Sequence, residues 1–181
     1  AEAGNNESIR EDIDIIKRHM AEVLDMKKRI LGGSSTEENE QIPVAEFLCE
    51  AVSVFDSSTV SLKSIPADLT CSAKPGHLKN VIHTIIENSI EVCRGQEDFR
   101  IEVSAYAQED STIIQISDNG PGYPKEELGK LFKPFFSAKK GKDSTGMGLW
   151  LCYRTLKMMN GEVRVDGDTG EGLTFNIRLE H

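Results

Sequence analysis

Several short segments of the chain combine residue types that can handle a phosphate and a base. Asp118 opens the loop DNGPGYP, whose Gly120 and Gly122 permit positive φ and close backbone approach to a bound molecule. A carboxylate in such a loop can accept a hydrogen bond from an amino group such as that of adenine. Further on, Phe132, Phe135 and Phe136 are interleaved with Lys133, Lys139, Lys140 and Lys142. In a chain of net charge −9, four lysines within ten residues reverse the local sign. A lid over a polyphosphate needs this mixture: aromatic anchors to dock it, ammonium groups to offset charge, and Gly141 to let it move. Thr145 and Gly146-Met147-Gly148-Leu149 then lead into a helical segment, so free N–H groups and the positive dipole end face whatever the lid covers. Upstream, Asn88 sits in HTIIENSIEV, mid-helix, where a structural position favours a better helix former. Its carboxamide oxygen suits Mg²⁺, a hard ion that takes oxygen ligands and bridges phosphates. Each segment also has a plainer reading: an Asn that is exposed or bonded across the core, a tight Asp-Asn-Gly turn, a solvated basic loop.

The elements that must position these groups follow from periodicity. Residues 76–92 form a helix with Leu78, Val81, Ile82, Ile85, Ile86, Ser89 and Ile90 towards the core. A shorter amphipathic helix is expected over 43–55, then strands over 58–65 and 68–73. FRIEVSAYAQ and TIIQIS, joined at Glu109-Asp110-Ser111, read as a hairpin. A last helix runs from Gly148 to Met159, and EVRVDG and LTFNIRL close the chain as a hairpin around GDTGEG. The expected fold is α+β: a two-layer α/β sandwich, a mixed sheet with helices on one face. Ahead of it, Ile9, Ile13, Ile16, Met20, Val23 and Ile30 form the stripe of a long bundle-forming helix. The reading is therefore a helix in 1–31, a polar linker in 32–43 without core residues, a catalytic domain in 44–178, and a tag remnant in 179–181.

Composition narrows the function. A 38% hydrophobic content in 181 residues supports a globular domain with a packed core. The acidic balance disfavours nucleic acid and anionic membrane surfaces as partners. No apolar run approaches the ~20 residues of a membrane span. Cys49, Cys71, Cys93 and Cys152 lack metal-site spacing and read as buried free thiols of a reducing, cytoplasmic compartment.

Taken in order, HTIIENSIEV, DNGPGYP, FKPFFSAKK and STGMGLWL resemble the nucleotide-binding boxes of sensor histidine kinases, within the superfamily that includes gyrase-type ATPases and anti-sigma-factor kinases. The resemblance covers about residues 44 to 178. It implies that Asp118 recognises adenine, that Asn88 ligates Mg²⁺, and that Lys139 or Lys140 contacts phosphate in the transfer step. It places Gly120, Gly122, Tyr123, Phe132, Thr145, Gly146, Met147, Gly148, Leu149 and Thr174 around ATP. Tyr123 stands where the family often has an aliphatic residue and is expected along the adenine. Leu173 stands where a hydroxyl residue commonly supports the Asp, leaving Thr174 as the candidate substitute. Thr84 replaces the glutamate base of gyrase-type enzymes and the Asn usual in histidine kinases, and Glu91 replaces a basic residue. The first helix is similar to the second helix of the dimerisation hairpin, which implies a homodimeric parent and a response-regulator receiver domain as partner. His19 is followed by Met20 rather than an acidic residue, so the phosphoacceptor is expected on a preceding helix. A serine kinase of the anti-sigma type and a nucleotide-gated binding module are the alternatives.

Overall fold

The computed structural model describes residues 38–137 and 145–181. The expected first helix with His19, residues 32–37 of the linker, and the candidate phosphate contacts Lys139 and Lys140 lie outside the described residues. The chain divides into residues 1–35 and a second unit, Thr36–His181, which contains every element below.

In chain order that unit comprises β1 (Glu40–Pro43), α1 (Val44–Val52), β2 (Val60–Leu62), β3 (Thr70–Ala73), α2 (Pro75–Val92), β4 (Ile101–Gln108), β5 (Ser111–Asp118), a 3-10 helix (Lys125–Lys130), α3 (Gly148–Lys157), β6 (Glu162–Asp168) and β7 (Gly172–Glu180). The main sheet has five strands in the order β2-β4-β5-β7-β6. Only β2 and β4 pair in parallel; the other neighbours are antiparallel, so the sheet is mixed as expected. Strand alternation makes the sheet two-sided. Ile101, Val103, Ala105, Ile114, Ile116, Phe175 and Ile177 point into the core. Their strand neighbours Glu102, Ser104, Gln115, Ser117 and Asn176 take the opposite face, where Gln115 Nε2 donates to Asn176 Oδ1 at 3.0 Å.

Helix α2 supplies the other half of the core. Pro75 starts it at a position where the missing N–H costs nothing. Leu78, Val81, Ile82, Ile85, Ile86 and Ser89 recur at helical spacing and are buried. Full burial of each isoleucine contributes about 1.5–3 kcal/mol, which outweighs the modest helix propensity of β-branched residues. A polar residue of this stripe, Ser89, is only 5% exposed and therefore needs a partner.

The structure corrects the sequence reading at three places. Residues 40–43 are not linker: Glu40–Pro43 pairs antiparallel with Thr70–Ala73, and Ile42 is buried. Leu179 and Glu180, expected in a tag remnant outside the domain, are part of β7, where Leu179 is wholly buried and Glu180 pairs with Ser111. Cys49 is exposed, whereas Cys71, Cys93 and Cys152 are buried. On α1 the inward positions are Val44, Leu48 and Ala51, and Cys49 falls one residue past that stripe. Burial pushes the Cys71 and Cys93 thiols up to about 11. A native sample treated with iodoacetamide near neutral pH should therefore modify Cys49 alone, with the remaining three thiols labelled only after denaturation. Peptide mass mapping before and after denaturation checks this.

Candidate functional site

Asp118 is the last residue of β5, and its carboxylate is held from three directions. The Ser89 hydroxyl donates to Oδ2 at 2.7 Å. The backbone N–H groups of Gly120 and Leu173 donate to Oδ1 at 3.0 and 3.1 Å. The loop after Asp118 interlocks with the β6–β7 turn. Gly170 N donates to Pro121 O at 2.7 Å. Gly122 has φ +64°, and a side chain there would be driven into the carbonyl of Asp168; Gly172 has φ +77° and stands in the same way against the carbonyl of Asp118. These two positions require glycine because neighbouring backbone occupies the Cβ direction. On the other side Asn119 ties the loop to the segment after α2: its Oδ1 accepts from Arg100 N at 2.8 Å and its Nδ2 donates to Asp98 O at 2.8 Å. Cys93, at the end of α2, lies against Gly120. Burial first, and the Asp118 charge second, raise its thiol to about 11, so it lines this site as a neutral group.

One residue before Ser89, Asn88 is half-buried, and its Nδ2 donates to Thr84 O at 2.7 Å. The start of α3 abuts it: a Cβ on Gly148 would lie 3.4 Å from both Asn88 Nδ2 and Thr84 Cγ2. Met147, the residue capping α3, has no side-chain cap, and its carbonyl accepts from Leu151 N at 2.9 Å. Thus the carboxamide of α2 and the positive end of α3 come together. Among the described residues no group of three or more His, Cys, Asp or Glu could hold a metal. With Nδ2 committed to Thr84, the Asn88 atom left for a metal is Oδ1, an oxygen, as Mg²⁺ demands.

Residues 73–181, more than half of the chain, match the family described as histidine kinase-, DNA gyrase B-, and HSP90-like ATPase. The chain belongs to this ATPase family. Over 102 residues it is 34% identical to sporulation kinase C of Bacillus subtilis, covering 56% of this chain and 23% of that protein. Over 109 residues it is 32% identical to the sensor histidine kinase RcsC of Escherichia coli, covering 58% of this chain and 11% of that one. The chain thus spans under a quarter of the length of these curated relatives. Among solved structures, the catalytic domain of histidine kinase ThkA superposes with a TM-score of 0.67 at 21% identity, covering 79% of this chain and 95% of that one. Full-length ShkA, solved in complex with AMPPNP, gives 0.70 at 18% identity, covering 94% of this chain and 38% of that one.

The other candidate residues among the described ones have the following surroundings. Phe132 has its ring edge-on to Phe175 at 6.5 Å and tilted against Tyr153 at 6.4 Å. Gly146 has φ +64°, and a Cβ there would meet Phe136 O, so Phe136 and Gly146 lie against each other. The Tyr123 hydroxyl donates to Glu127 Oε2 at 3.2 Å and its ring stands edge-on to Phe136. Thr145, Met147 and Leu149 are half-buried along the approach to α3. Thr174 does not support Asp118; its hydroxyl pairs with Ser117 Oγ at 3.0 Å. β7 alternation puts Thr174 on the face of Ser117, away from the core, and leaves the task to the backbone N–H of Leu173. Sequence reasoning missed Ser89 as a site residue by counting it only as a small core residue. The available signal was a hydroxyl in an apolar stripe, adjacent to Asn88.

Proposed function

We propose that this chain carries the catalytic, ATP-binding portion of a sensor histidine kinase of a two-component system. It binds Mg·ATP, and its parent passes the γ-phosphoryl group to a histidine on a helix outside this chain and then to an aspartate of a response-regulator receiver domain. The supporting observation is the Asp118 carboxylate, oriented by Ser89, Gly120 and Leu173 beside the meeting point of Asn88 and the α3 start. Asp118 accepts from the adenine amino group. The N–H groups at Gly146 to Gly148 serve the polyphosphate, and Lys139 or Lys140 is the proposed further phosphate contact. Asn88 Oδ1 would hold Mg²⁺, which would supply charge neutralisation at the phosphates. In the transfer, an imidazole nitrogen forms a bond to the γ-phosphorus as the bond to the bridging oxygen of ADP breaks. The protein's contribution is positioning and charge stabilisation.

The AMPPNP bound in ShkA supports an adenine nucleotide as ligand, and the sensor histidine kinase name of RcsC supports this reading over a serine kinase. Water activation as in gyrase-type enzymes would need a base at position 84, and a threonine hydroxyl does not serve near neutral pH. The parent is proposed to dimerise through the helical hairpin to which residues 1–31 belong, with this portion in the cytoplasm. Among the described residues no helix is long and apolar enough to cross a membrane.

The test is transfer from γ-labelled ATP to a chain extended upstream through the preceding helix. Label that is lost in acid and kept in base identifies phosphohistidine and is the expected result. Acid-stable label would replace this reading with serine or threonine transfer, and ATP binding without protein label would replace it with an ATPase or binding module.

A further inference from the structure

We propose that Ser89 is a specificity-determining residue, whose hydroxyl fixes Asp118 so that one defined lone pair of Oδ2 meets the adenine amino group. The inference rests on the reading of Asp118 as the adenine acceptor, and it goes beyond that reading by naming what gives the acceptor its direction.

An ionised carboxylate offers about four acceptor positions. Three are filled in this structure: two on Oδ1, by Gly120 N and Leu173 N, and one on Oδ2, by Ser89 Oγ. The remaining position lies on Oδ2, the oxygen that Ser89 alone controls. Rotation about the Cβ–Cγ bond would swing both oxygens, so it is opposed at Oδ1 by the two backbone donors and at Oδ2 by Ser89. The hydroxyl at 2.7 Å is the shortest of the three restraints and the one on the oxygen with the open position, and charge-assisted bonds of this kind are among the stronger ones.

The closing strand does not duplicate this service. Leu173 contributes a backbone N–H to Oδ1 and packs its side chain on the core, while the Thr174 hydroxyl is engaged with Ser117. Ser89 is 5% exposed, so its hydroxyl has little access to water and is committed to Asp118 Oδ2. Its location also matters. Asn88 and Ser89 are consecutive on α2, so one helical turn sets both the proposed metal ligand and the orientation of the base acceptor.

The test compares ATP with purine riboside triphosphate, which has the same ring and phosphates but lacks the amino group. Dissociation constants for both are measured by titration calorimetry on the native chain and on Ser89→Ala, an exchange that removes one oxygen from a helix interior. The native chain is expected to prefer ATP by about 10-fold or more, the worth of a hydrogen bond to a charged acceptor. In Ser89→Ala that preference should fall to about 3-fold or less, with affinity for the amino-free analogue little changed. A purely structural role would weaken both nucleotides equally and leave their ratio intact, and that result overturns the proposal. If the native chain itself shows no preference, the reading of Asp118 fails, and this proposal with it. The two failures are distinguishable because the second appears without any substitution.

Discussion

Asp118→Asn is expected to weaken ATP binding by about 100-fold while leaving the thermal midpoint close to that of the native chain. The exchange preserves shape, so the carboxamide oxygen can still accept from Gly120 N and Leu173 N. The Ser89 hydroxyl, now facing an amide N–H₂, can turn and accept instead of donating. The fold therefore keeps its local hydrogen bonds. The nucleotide does not, because an adenine amino group would meet a second donor where it met a carboxylate. Losing a hydrogen bond to a charged partner costs about 1.5–3 kcal/mol, and burying two opposed donors adds to it, which gives about two powers of ten in affinity. Calorimetric titration with ATP checks the affinity, and a melt monitored by circular dichroism checks the fold. A dissociation constant within about threefold of native would remove Asp118 from the base site. Asp118→Ala is the poorer experiment. It would strand the donors of Ser89, Gly120 and Leu173 together, and a loss of binding could then follow from a disordered loop.

Why some of this site is legible in the sequence and some is not follows from how far each contact reaches along the chain. The glycines of DNGPGYP and STGMGLWL announce themselves because only that residue tolerates the close approach of Asp168, of Phe136 or of a phosphate. The hairpin of β4 and β5 is written in local alternation and a turn at Glu109 and Asp110. Strand β1 is not, since EQIP offers one apolar side chain, Ile42, and becomes a strand only because β3 lies about thirty residues away to pair with it. The same holds for the support of Asp118. Family pattern pointed to a hydroxyl near position 173, but a strand sends successive side chains to opposite faces, and Thr174 faces Ser117. The missing donor comes instead from α2, 29 residues upstream of Asp118, where nothing local marks Ser89 as more than a small residue in a buried stripe. The chain solves one electrostatic problem, holding a carboxylate at the mouth of the core, with a donor from a different element than the pattern suggests.

The proximity of Asn88 and Ser89 makes it possible to separate the two ends of the nucleotide site by experiment. Asn88→Ala should keep α2 intact or strengthen it slightly, because alanine is the better helix former and the lost Nδ2 bond goes only to the Thr84 carbonyl one turn back. What disappears is Oδ1, the oxygen proposed to hold Mg²⁺. Even an outer partner of a metal site is worth about 10–100-fold in metal affinity, and a direct ligand is expected to be worth at least the upper end of that range. Titrations with ATP in the presence of Mg²⁺ and in the presence of a chelator should therefore differ for the native chain and coincide for Asn88→Ala. The preference for ATP over its amino-free analogue should survive, because Ser89 and Asp118 are untouched. If Asn88→Ala retained the full Mg²⁺ dependence, the metal would have to be held elsewhere. If it lost base preference as well, the turn of α2 would be acting as one mechanical unit, and the roles of Asn88 and Ser89 would not be separable.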